Sequence, residues 1–242
     1  MSAFTLTVTE GIAHLVFDLP GEKVNKFTAA VLDELSGVIA ELAKRTDLRA
    51  VVIASGKPDM FIAGADIAEI QGLTSIELAL AKARRGQEVF NQLAALRVPT
   101  IAVIDGPCLG GGMELALACT YRVVTDAEKT RLGLPEVTLG IIPGWGGTQR
   151  LPRLVGLANA LDLILSGRHL PGAKALKIGL ADACVARAFL AEELPRFISK
   201  MTATSGVKRA ALPRQVRMLQ APLVRSFVLR AARKEVLRKT HG

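Results

Sequence analysis

An α/β fold with parallel crossovers, closed by a helical C-terminal segment, is the architecture this sequence predicts. Short apolar runs alternate with stretches of helical period through the first two thirds of the chain. Beyond about residue 188 the strand signals vanish and only helical pattern remains.

The elements follow in order. Leu6–Val8 and His14–Phe17 flank Glu10-Gly11 and read as a hairpin. From Phe27 to Lys44 the apolar residues Val31, Leu32, Leu35, Val38, Ile39 and Leu42 keep a helical period, with Thr28 as N-cap. Ala50–Ala54 is a buried strand ended by Ser55-Gly56-Lys57-Pro58. A long helix over Ile76–Leu96 stops before Pro99. Ile101–Ile104 is a strand, Gly111–Cys119 a helix, and Arg122–Val124 a further strand. Leu151–Leu165 and Ala173–Ile178 read as helices, then Phe189–Met201 and Val216–Lys239, with Pro195, Pro213 and Pro222 as interruptions.

The 242 residues suffice for one large domain or a domain with an appendage, and 50% hydrophobic content provides a sizeable core. No apolar run approaches the ~18–20 residues of a membrane span. Met1–Thr5 carries neither a basic nor an apolar leader region. Three scattered cysteines, Cys108, Cys119 and Cys184, form no disulfide framework, so a reducing, cytoplasmic setting is expected. The net charge of +9 is unevenly placed: residues 196–242 hold 12 Lys/Arg against Glu235, leaving 19 Lys/Arg and 21 Asp/Glu in residues 1–195. A basic tail of this kind meets nucleic acid, an anionic membrane or an acidic partner face. Its only aromatic residues are Phe197 and Phe227, a poor stacking platform for single strands.

Chemistry concentrates in one stretch. Asp105–Gly112 places glycines at 106, 110, 111 and 112 between a strand and a helix, where main-chain N–H groups can approach an anion or a carbonyl oxygen. The pattern is neither GxGxxG nor a P-loop, and it reads equally as a tight turn with close packing. Glu114 falls in the first turn of the following helix among Met113, Leu115 and Leu117. Pro135-Glu136 looks like a second helix start. An acid at a helix start has an ordinary structural role through the dipole. A carboxylate in an apolar helix, however, needs a partner or a task. Asp66 with Glu69 resembles a capping box that leaves the Ala65 N–H accessible. The histidines His14, His169 and His241 lie near no nucleophile motif and at no metal-ligand spacing, so neither a triad nor a metal site is expected.

Three blocks in this order resemble the crotonase (enoyl-CoA hydratase/isomerase) superfamily. They are Phe61–Ile67, Ile104–Ala116, and Gly133–Leu151 with Gly144-Trp145-Gly146-Gly147-Thr148-Gln149-Arg150 inside it; the likeness runs from about residue 4 to 190. The resemblance implies a spiral of ββα units over residues 1–190, with residues 191–242 as a basic helical appendage. It implies that the N–H groups of Ala65 and Gly111 form an oxyanion hole for an acyl-CoA thioester. Glu114 and Glu136 would hold one water, which Gly144 helps to position. Ala63, Asp66 and Ile67 would bind coenzyme A, with Lys23 and Val24 along the pantetheine or phosphate path. Coenzyme A enters as part of the substrate, and no separate cofactor is implied. Trp145 stands where smaller residues are frequent and would narrow the acyl pocket.

The segment Thr125–Arg131 between the two glutamates, and the end Arg233–Gly242, are similar to the hydratase half of multifunctional fatty-acid oxidation α-subunits. On that likeness the chain is the N-terminal half of a longer protein, its tail leading to a dehydrogenase half. The family tends to assemble as trimers or hexamers. The function expected is hydration of trans-2-enoyl-CoA in β-oxidation. The alternatives are Δ3-Δ2-enoyl-CoA isomerisation in the same site, a catalytically dead CoA-binding scaffold, and nucleic-acid binding through the tail.

Overall fold

The computed structural model describes residues 2–203 and 222–240. Its main sheet has six strands in the order β1-β2-β4-β6-β8-β11, all parallel except the β1–β2 hairpin. These strands are β1 (Phe4–Thr9), β2 (Ile12–Phe17), β4 (Ala50–Ser55), β6 (Thr100–Ile104), β8 (Tyr121–Thr125) and β11 (Ala183–Val185). Side chains alternate across β4 and β6 as a pleat requires. Val51, Ile53, Ala102 and Ile104 enter the main core, whereas Ala50, Val52, Ile101 and Val103 face a second apolar layer.

Helix α1 (Ala29–Lys44) buries Val31, Leu32, Leu35, Ile39 and Leu42 on one stripe, and Thr28 caps it by accepting from the Val31 N–H. Helix α3 (Ile76–Ala94) packs beside it through Gly86, Val89, Phe90 and Leu93. Just before α1, β3 (Lys26–Phe27) pairs with β5 (Gly64–Ala65), and the short helix α2 (Ile67–Gln71) follows β5. Helix α4 (Gly111–Ala118) is buried along its whole length. It follows β7 (Pro107–Leu109), which pairs with β9 (Arg131–Gly133). The pair β9–β10 (Leu170–Pro171) completes that small sheet.

Three expectations are corrected here. The stretch read as one helix over Leu151–Leu165 is two, α5 (Gly147–Val155) and α6 (Leu157–Ser166). They part at Gly156, whose φ of +81° suits glycine and ends a helix. Pro195 does not interrupt: α8 (Leu190–Thr202), which follows α7 (Gly172–Lys177), runs through it. Its apolar face holds the helix against the sheet, with Ile198, Leu190, Leu194 and Phe197 in the second core layer. Pro222 opens rather than breaks a helix, α9 (Pro222–Thr240), which lies beside α6. Pro213 and residues 216–221 fall outside the described residues.

Among the described residues no helix is long and apolar enough to cross a membrane. Among the same residues no cluster of His, Cys, Asp and Glu could hold a metal ion.

Candidate active site

The site begins at a buried amide. Asn25 donates from Nδ2 to the Phe17, Ser55 and Phe61 oxygens and accepts from the Leu19 N–H at 2.9 Å. Its own carbonyl takes the Ala63 N–H at 2.8 Å. One side chain thereby ties the hairpin, the end of β4 and the segment leading into β5. The Asp66 N–H bonds Phe27 O at 2.9 Å, which fixes the other side of Ala65.

Gly64, with φ +125°, brings β5 against the start of α4: a Cβ there would lie 3.2 Å from Leu109 O and 3.6 Å from Gly111 N. The nitrogen of Ala65 lies 3.4 Å from where a Cβ on Gly111 would stand. Two main-chain amides thus sit side by side. That of Gly111 belongs to the first turn of α4, where N–H groups have no partner within the helix and the dipole favours negative charge. The first bond within this turn is Glu114 N–H to Gly110 O.

Glu114 projects from that first turn and is 2% exposed. Its Oε1 accepts from the Trp145 N–H at 2.8 Å and the Gly147 N–H at 2.7 Å. Side chains from α3 hold the loop that supplies these donors. Gln87 donates to Gly144 O at 2.7 Å, and Arg150 bridges Trp145 O at 2.9 Å to Asn91 Oδ1 at 2.6 Å. Glu136 follows Pro135 in a short 3-10 helix after β9. It is 8% exposed, and its Oε2 is buried without a hydrogen-bond partner, alone in this among the described residues.

Both acids resist ionisation. Burial pushes Glu114 up to about 8, aided by the Glu136 charge and opposed by the two N–H bonds and the Arg150 guanidinium. Burial alone lifts Glu136 to about 7. Burial acts more strongly on Glu114, yet its Oε1 with two donors is built to accept negative charge. The proton retained at neutral pH therefore belongs to the pair.

A cavity of about 350 Å³ joins these groups. Ala63, Ala65, Asp66, Ile67, Gly111, Glu114, Glu136 and Gly144, all singled out in the sequence, line it. Lys23 and Val24 do not line it; Lys23 is exposed and Val24 half-buried. Lys26 pairs with Asp66, which lines the cavity, at 3.1 Å. That pairing, as a side-chain hydrogen bond, lowers the Asp66 carboxyl below its ordinary value. Asp66 caps α2 by accepting from the Ala68 N–H at 2.9 Å. Glu69 leaves the expected capping box half made. It reaches the Ala29 N–H at 3.2 Å and pairs with Lys82, while the Asp66 N–H is already taken by Phe27. The Trp145 and Gly147 donors escaped sequence reading, because nothing in a glycine-rich stretch says which amide turns toward an acid 31 or 33 residues away.

An apolar cavity with two adjacent amides and a buried acid pair is the arrangement suited to a carbonyl compound that must be polarised and then given or stripped of a proton. The sequence matches the enoyl-CoA hydratase/isomerase family profile over residues 7–237, and the chain belongs to that family.

Among its relatives is the fatty acid oxidation complex subunit alpha of Vibrio campbellii, 48% identical over 99% of this chain. The subunit of the same description from Vibrio cholerae is 47% identical over 100% of it. The chain spans 34% of the length of these curated relatives. Among solved structures, the fold matches an enoyl-CoA hydratase from Geobacillus kaustophilus with TM-score 0.78 and 31% identity, covering 84% of this chain and 75% of that one. It also matches Pseudomonas aeruginosa DspI, with TM-score 0.77 and 29% identity, covering 100% of this chain and 93% of that one.

Proposed function

We propose that this chain adds water reversibly to the double bond of a trans-2-enoyl-CoA, giving the 3-hydroxyacyl-CoA of fatty-acid β-oxidation. The observation that carries the reading is the pair Glu114 and Glu136, buried in one cavity beside the amides of Ala65 and Gly111.

The thioester oxygen accepts from the two amides, which draw electrons out of the conjugated system and stabilise the enolate-like state. One water lies between the acids, with the Gly144 N–H assisting. Glu114, as carboxylate, takes a proton from the water, and its oxygen attacks C3. Glu136, protonated, gives its proton to C2. The pair ends with the proton exchanged between its members, and water lost in reverse restores the start. The two N–H bonds on Glu114 favour its charged form, and the unpartnered Glu136 Oε2 suits a carboxyl that donates to substrate.

Coenzyme A arrives only as part of the substrate, along Ala63, Asp66 and Ile67. The reading is tested by following loss of the conjugated thioester absorbance with crotonyl-CoA; no loss at high enzyme concentration refutes it. The same unpartnered Oε2 favours a second activity, Δ3-Δ2-enoyl-CoA isomerisation, since a lone carboxyl can carry a proton from C2 to C4. Incubation with 3-hexenoyl-CoA reads it directly.

The share of the relatives' length that the chain spans supports a place as one part of a longer α-subunit, which on this reading is cytoplasmic and carries a dehydrogenase part beyond the basic tail. Self-assembly into trimers or hexamers is part of the same reading. Light scattering of the 242-residue chain and the length of its parent polypeptide test these two points.

A further inference from the structure

Trp145 lines the cavity that holds the two acids, and a second groove shares part of the same lining. Ala83, Ile141, Ile142, Gly144 and Trp145 line both this cavity and that groove, of about 870 Å³.

The Trp145 ring is held by packing against β3, α3 and the start of α4. Phe27 and Phe90 meet the ring edge to face, with centroids 5.9 and 5.7 Å away. A Cβ on Gly86 would lie 2.5 Å from the indole Cγ, and one on Gly111 2.8 Å from Cε3. The main chain of Trp145 is bound at both ends, its N–H to Glu114 and its carbonyl to Arg150. The ring cannot swing without displacing α3 or α4. It is a wall, not a gate.

The direction of the acyl chain follows from the reading above, on which this inference rests. With the thioester oxygen at Ala65 and Gly111 and the coenzyme leaving past Ala63 and Ile67, C3 lies beside Glu114. The oxygen of Glu114 is held by the Trp145 and Gly147 amides, so the chain beyond C3 runs into the corner that Trp145 closes. We propose that Trp145 is the specificity-determining residue at the acyl end. It restricts the site to short 2-enoyl thioesters and separates it from a groove that a smaller side chain would open to longer ones.

The test compares the wild-type chain with Trp145→Ala and Trp145→Phe. Hydration is measured with crotonyl-, hexenoyl-, octenoyl- and decenoyl-CoA, and binding of the saturated butyryl- to decanoyl-CoA series is measured by calorimetry. In W145A the kcat/KM ratio of decenoyl- to crotonyl-CoA rises about tenfold or more, the scale on which apolar pockets discriminate by size. W145F shows a smaller rise, and it decides the matter if W145A does not fold. The Kd ratio of the saturated esters moves in parallel. Hydration with an unchanged ratio in both variants overturns the wall, as does a wild-type rate that is flat across the series. Absence of hydration with a shifted Kd ratio overturns the hydratase reading and upholds the wall.

Discussion

The indole of Trp145 lies where a side chain on Gly86 would begin. A glycine inside a helix costs about 1 kcal/mol relative to alanine, so α3 bears that cost to admit the ring. Gly86→Ala should therefore destabilise the protein by about 1–3 kcal/mol through overpacking, despite the gain in helix propensity. In the Trp145→Ala background the same change should become neutral or stabilising. Urea unfolding of the two single variants and the double variant reads the coupling.

Glu114→Gln and Glu136→Gln should each lower kcat for crotonyl-CoA about 10²–10⁴-fold, the range of general acid–base catalysis. Glutamine keeps the acceptor for the Trp145 and Gly147 amides, so the loss in the Glu114 variant reports proton transfer and not a collapsed loop. Full turnover in either variant removes that residue from the mechanism.

Stability should fall as pH rises. The folded values of Glu114, about 8, and Glu136, about 7, both exceed the unfolded value of 4.5. Between the unfolded and folded values the native state binds more protons than the unfolded chain, so the slope of unfolding free energy with pH is negative there. The contribution is complete below pH 4.5 and is lost as pH passes through 7 and 8. Melting temperatures should decline across that window, and Glu114→Gln should flatten the decline. A flat wild-type profile contradicts the burial argument.

Arg150→Met should raise the Glu114 pKa, because the guanidinium favours its charged form. If the carboxylate is the base, the rising limb of kcat/KM against pH moves to higher pH. Asn91→Leu, which removes only the far anchor of Arg150, should move it less.

Much of the scaffold was legible because it repeats. The stripes of α1 and α3 and the apolar runs of β4 and β6 are long enough for period to declare them. Ladders of two or three residues, such as β3–β5 and β7–β9, have no period, and their partners are 38 or 24 residues apart in sequence. The break at Gly156 and the unbroken α8 were misjudged for related reasons. One glycine at positive φ ends a helix, while a proline costs less where an apolar face holds the helix down. Both glutamates could be named from sequence, but the orientation of the amides around them could not, since side-chain identity does not encode it.

The two groups on which the proposed hydration relies to bind the thioester oxygen, at Ala65 and Gly111, are atoms of the main chain. A change of side chain at Ala65 leaves its N–H in place unless it brings proline, whereas at Gly111 the Trp145 indole leaves no room for a Cβ. On the proposed reading, genetic drift can therefore replace the acids while the main-chain donors persist. A lineage built on this plan is free to try new reactions without first losing its hold on the compound.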